Sequence, residues 1–171
     1  MKQFFRLSIV TLALLLSTAP IADSKTKRSI AKNAKTPSIE AIYNVCFNDN
    51  IDKKSIGLKL VYKHSGKYLG TGEYDQIVYG VNVKVKKVKR TDRGSYPTFT
   101  AIGAHAFYHF VNEWESPTGF HGTNHTFGFK DKADCDKFCN LLQKDGIETN
   151  PTTEDGWFVI ELYENSYGDF S

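Results

Sequence analysis

Residues 125–150, HTFGFKDKADCDKFCNLLQKDGIETN, followed by 156–163, GWFVIELY, carry the clearest structural signal in the chain. Cys135, Phe138, Cys139 and Leu142 recur at i, i+3, i+4 and i+7, which places four apolar side chains on one face of a helix. Asp131 supplies a capping carboxylate at its start, with Asp134 three residues on. Gly146 stops it, and Ile147 is placed to contact Leu142 as the hydrophobic partner of a glycine-terminated helix end. A helix is therefore expected over residues 132–145. Thr126–Phe129 before it and Trp157–Tyr163 after it are rich in β-branched and aromatic residues, so the stretch reads strand, helix, loop, strand.

Working outward, the same residue types recur in Ile42–Phe47, Ile56–Lys63, Gln76–Lys89 and Pro97–Val111, each read as a strand. Asn48-Asp49-Asn50, Ser65-Gly66, Asp92-Arg93-Gly94 and Pro117-Thr118-Gly119 separate them with residues that tolerate turn backbone angles. Gln76 to Val111 is expected to form an extended antiparallel hairpin about a turn at Gly94. The fold class is α+β: an antiparallel sheet of five to seven strands with one helix, in the C-terminal half, packed on it. The order from Thr126 to Tyr163 is similar to one half of a ferredoxin-like or SPOR-type β-α-β unit. That resemblance covers less than a quarter of the chain and bears on the fold alone.

The chain has 171 residues, 40% of them hydrophobic and 13% aromatic, with only 13 Gly and 5 Pro. This composition excludes a disordered, collagen-like or membrane-embedded protein. Residues 1–24 read as a secretory signal peptide: Lys2 and Arg6 precede the apolar run Leu7–Leu16, and Ala22-Asp23-Ser24 places small residues for cleavage before Lys25. The run is half the length of a membrane-spanning helix, so no integral membrane segment is expected after cleavage. Residues 25–38 are a basic flexible leader, and residues 39–171 a single domain. Seven bases and one acid lie in residues 1–38, so the domain has a net charge of −3 although the whole chain is at +3. The expected location is secreted or periplasmic, where disulfides form.

Three cysteines are an odd set in an exported protein, which implies one bridge and one free thiol. Cys46 is expected to pair with Cys139, with Cys135 as the alternative, because two cysteines four apart on one helix do not meet in disulfide geometry. His105, His109, His121 and His125 form two H-x-x-x-H pairs within 21 residues. On paired strands, one imidazole from each pair can face the other across a hairpin, which makes the four candidate ligands for zinc or copper. Lys84, Lys86, Lys87, Lys89, Arg90 and Arg93 alternate with valines and form a candidate anion-binding face. Tyr96, Trp114 and Phe120 are candidate surface aromatics for partner capture.

No nucleotide-binding glycine loop and no CxxC redox pair is present. No catalytic residues and no cofactor are assigned. The leading expectation is an exported, non-enzymatic binding or inhibitor-like module whose partner is another protein or an anionic surface ligand; nucleic acid is not expected. The alternatives are a divalent-metal-binding protein using the histidines, and a small secreted hydrolase of phosphodiesters using histidine acid and base chemistry.

Overall fold

The helix that the cysteine periodicity requires forms at Lys132–Lys144. Asp131 caps it, its side chain accepting the Ala133 amide at 2.8 Å. Gly146 adopts a left-handed φ of +83°, and the Ile147 amide donates to the Leu142 carbonyl at 2.9 Å. Cys135, Phe138 and Leu142 are buried, as the spacing demands. The structure is a computed structural model and describes residues 36–68, 72–86, 97–165 and 170. These lie in one compact unit spanning residues 35–171. The signal peptide and almost all of the basic leader lie outside the described residues. No helix among the described residues is long and apolar enough to cross a membrane.

In chain order the elements are α1 (Ile39–Cys46), a 3-10 helix (Lys53–Ile56), β1 (Lys59–Tyr68), β2 (Gly72–Val81), β3 (Val83–Lys86), β4 (Thr98–Ala101), β5 (Phe107–Glu115), β6 (His121–Phe129), α2 (Lys132–Lys144), β7 (Thr152–Glu154) and β8 (Trp157–Asn165). Six strands form one sheet in the order β1-β2-β5-β6-β8-β7, with every pairing antiparallel. β3 and β4 form a separate two-stranded ladder. The α+β class and its antiparallel sheet follow the sequence reading.

Three details correct that reading. The segment expected as a first strand, Ile42–Phe47, lies mostly in α1 instead. Ile39, Ile42, Tyr43 and Val45 are its buried positions, a helical spacing that outweighs their β-branched and aromatic character. Ser38 caps it, accepting the Ala41 amide at 3.2 Å. The hairpin from Gln76 to Val111 is broken at Asn82, whose φ of 54° turns the chain out of the sheet. β2 pairs with β5 and β3 with β4, but five residues, 102–106, stand opposite that one break. The tip of this hairpin lies outside the described residues. Finally, β6 and β8 are direct antiparallel neighbours, so the strands flanking α2 are not the parallel pair of a β-α-β unit.

Both faces of the sheet are used. On the inner face α1 and α2 cover Phe107, Phe127, Phe129, Ile160 and Leu162. The Phe138 ring is the hub of this layer, with centroids 4.9 Å from Phe127, 5.1 Å from Phe129 and 5.3 Å from Tyr43. On the outer face the β3–β4 ladder folds over Val78, Tyr108, Phe110, Trp157 and Val159. Among the described residues, these elements cover one end of each face. The sheet's two edges are β1, which carries Lys59, Lys63 and Lys67 and a register shift between Leu60 and Tyr62, and the three-residue β7.

Gly128 shows how tight the outer layer is. Tyr108 lies directly across from it, stacked on Phe99 with centroids 4.0 Å apart, and a Cβ on residue 128 would enter the Tyr108 ring. Gly128→Ala is expected to destabilise the fold by about 1–3 kcal/mol, seen as a lowered urea midpoint at unchanged slope. An unchanged midpoint would mean that Tyr108 has room to withdraw.

Candidate functional site

Side chains alternate between faces along each strand, so the register sorts the polar residues into two groups. On the inner face His109 of β5 and His125 of β6 are diagonal neighbours: His109 pairs with Phe127, and His125 with Val111. His109 Nε2 lies 2.9 Å from His125 Nδ1, and His125 Nε2 lies 3.2 Å from Glu164 Oε2 on β8. One pattern of protons satisfies both contacts with Glu164 ionised. His125 donates its Nε2–H to the carboxylate, and its Nδ1 lone pair accepts the Nε2–H of His109. This leaves a bare lone pair on His109 Nδ1, the one buried side-chain polar atom without a hydrogen-bond partner among the described residues. The reverse pattern would strand an N–H donor there and set a lone pair of His125 against the carboxylate.

Packing holds this relay flat. The His109 ring stacks on Phe127 with centroids 4.3 Å apart, and Phe170 leans on His125 at 5.8 Å. His109 is 2% exposed, and burial drives its pKa well below the ordinary imidazole value. Its neighbour His125 and the Lys53 ammonium act in the same direction. Burial also lowers His125, against the opposing pull of Glu164 and Glu113. Both imidazoles are therefore neutral near pH 7. As a base the relay is turned the wrong way for a substrate, because its free lone pair is sealed in the core.

The four histidines do not converge. His121 sits at the open end of the inner face, 3.7 Å from Glu115, and His105 lies beyond the covered end, 3.2 Å from Asp134. His109 and His125 meet as the hairpin geometry allowed, but they direct their facing nitrogens at each other. His105, Asp131 and Asp134 bring three donor atoms within 4.8 Å of one another. Asp131 there already caps α2, and the positive end of the helix dipole opposes a cation.

Cys46 ends α1 rather than a strand, and Cys135 and Cys139 lie on α2; all three thiols are free in this structure. Burial pushes the Cys46 and Cys135 thiols up to about 12, so neither is an activated nucleophile. Lys84 and Lys86 are exposed on β3 as the alternation requires, whereas Lys87, Lys89, Arg90, Arg93 and Tyr96 lie outside the described residues. Trp114 is half-buried and Phe120 exposed, with centroids 5.4 Å apart.

The outer face holds what sequence reading missed. His64, Gln76, Asn112, Asn124 and Tyr163 fall in one row across five strands. Three carboxamides thus stand side by side on rigid backbone. Beside them Tyr74, Trp114 and Gly122 form a second row, in which the Trp114 indole covers the bare Gly122. Asn112, Asn124, Thr126, Glu161 and Tyr163, with Phe110, line a groove of about 340 Å³. Polar residues at alternate strand positions were the available signal, but only the register shows that they align.

Comparison of the chain with protein-family models, with curated proteins and with solved structures finds no match.

The neutral imidazoles make stability depend on pH. The unfolded chain binds protons at both histidines near the ordinary value of 6.5, and the folded chain does so only at lower pH. Their contribution is complete above about pH 6.5 and falls as the pH drops below it. A loss of about 1–3 kcal/mol between pH 7.5 and 5 is expected in urea titrations, smaller in His109→Phe, which keeps a flat ring on Phe127. An identical pH profile in that variant would remove the relay as its cause.

Proposed function

We propose that this chain is an exported, non-enzymatic binding module that takes a neutral, hydroxyl-rich ligand, such as a short glycan, on the outer face of its sheet. The observation that carries this reading is the groove of about 340 Å³ lined by two of the aligned carboxamides, Asn112 and Asn124, together with Thr126 and Tyr163. Planar amides and hydroxyls offer paired donors and acceptors, and the adjacent aromatic row offers a platform for the apolar face of a sugar ring. The strands hold these groups in place before binding, which reduces the ordering cost of association. Among the described residues that line the groove, Glu161 is the charged one and no Lys or Arg occurs, so this part of the lining suits an anion poorly. The exposed Lys84 and Lys86 of β3 belong to a different element.

Calorimetric titration of the purified chain with cellotetraose, maltotetraose and chitotetraose tests this reading. At least one should bind. Trp114→Ala, and Asn112→Ala combined with Asn124→Ala, should each weaken binding roughly tenfold, as expected for losing about 1–2 kcal/mol of stacking or hydrogen bonding. Absence of binding to all three, or variants that bind as the wild type does, would overturn it.

Export is part of the proposal, and with it the bridge between Cys46 of α1 and Cys139 of α2. Thiol titration in denaturant should give one free thiol per chain recovered from an oxidising compartment and all three from a reducing one. Three free thiols after export would remove the bridge.

A further inference from the structure

The relay and the groove are two faces of the same strand segments. In β6 the inward His125 stands between Asn124 and Thr126, which both line the groove. In β8 Glu164 follows Tyr163, and in β5 His109 precedes Phe110, two further lining residues. His125 and Leu162 are themselves at the groove's boundary. A displacement of the relay is therefore a displacement of the groove.

We infer that the Glu164–His125–His109 relay regulates the groove, holding it in its binding shape at neutral pH and distorting it when the imidazoles take up a proton. The inference rests on the reading of the groove as a ligand site.

The relay has no place for a further proton on its nitrogens. Three of the four are committed to the two hydrogen bonds, and the fourth, His109 Nδ1, is sealed. A proton there becomes a buried N–H without an acceptor. A proton on His125 Nδ1 sets two N–H groups against each other across 2.9 Å. The surrounding charges do not relieve either state at His109. Glu164 of β8 and Glu113 of β5 favour a cation on His125, but Lys53 of the 3-10 helix opposes one on both rings. Tyr79 of β2 is the neutral cross-strand neighbour of His109, and Phe127 of β6 and Phe170 present neutral rings. Inward movement is blocked by the aromatic layer around Phe138, whereas Asn112 is half-exposed and Asn124 exposed on the other side. The strands therefore yield outward, through the groove. By linkage, a ligand that needs the undistorted groove also holds the imidazoles neutral to lower pH.

Side-chain NMR of the full chain, taken from pH 7.5 down to the onset of acid unfolding, tests the coupling without a ligand. The amide resonances of Asn112 and Asn124 should shift with one shared midpoint, that at which the His109–His125 pair takes up its first proton, while far-UV circular dichroism stays constant. In His109→Phe/His125→Gln the amide shifts should vanish. Glu164→Gln, which retains both imidazoles, should move the shared midpoint to lower pH. For a wild type that binds chitotetraose, affinity should fall tenfold or more as the pH drops through that midpoint, and less than twofold over the same range in the double variant. Amide resonances that stay fixed while the imidazoles titrate would overturn the inference. So would an unchanged midpoint in Glu164→Gln, or amide shifts that coincide with global unfolding. If chitotetraose fails to bind on either side of that midpoint, the ligand reading loses that support, and the amide titration alone decides the coupling.

Discussion

The Phe138 ring, inserted between Phe127, Phe129 and Tyr43, is the contact on which the inner half of the molecule depends. It is one side chain from α2, yet it touches two positions of β6 and one of α1, so it fixes both helices on the sheet at once. Phe127 in turn stacks on His109 and so passes that rigidity to the relay. An imidazole pair in a looser setting would tilt toward water and ionise in the usual range. Held flat under a phenyl ring, it stays neutral, and its protons settle into a single arrangement.

The sheet then assigns its work by row. Toward the covered end the inner face is apolar; at its middle stands the relay; beyond it come Asp75, Glu113 and Glu164, then Glu73 and Glu115. The outer face runs from the apolar patch under β3 and β4 to the carboxamide row and then to the aromatic row. An acidic inner end and a neutral, amide-rich outer end are thus separated by the thickness of one sheet. The regulatory reading and the ligand reading both derive from this arrangement, since every second residue of β5, β6 and β8 belongs to the other face.

How much of this was legible in the sequence depended on range. The helix α2 was readable to within one residue because its apolar spacing, cap and stop are all local. The segment that became α1 carried the same kind of signal in Ile39, Ile42, Tyr43 and Val45, but its β-branched residues favoured a strand, and the tertiary contact with α2 decided the outcome. The meeting of His109 and His125 was foreseeable as hairpin geometry. Glu164 was not, because it comes from a strand 39 residues away. The carboxamide row was invisible for the same reason: Gln76, Asn112 and Asn124 are ordinary polar strand residues until the register aligns them. The cysteines were assigned to a strand and a helix, whereas Cys46 lies on a helix, so an inference about their pairing rested on a wrong element for one partner.

The edges of the sheet carry a further consequence. β1 is interrupted by its register shift and studded with Lys59, Lys63 and Lys67, while the opposite edge, β7, is only three residues long. β7 is too short to template another strand, and on β1, whose register runs regularly from Tyr62 to Tyr68, the lysines discourage one. Capture of an extended peptide by adding it to the sheet is therefore disfavoured, as is stacking of one copy on the next into a fibre. The faces of the sheet, by contrast, present side chains at fixed register positions, so a contact made there would be read by side chains and not by the backbone.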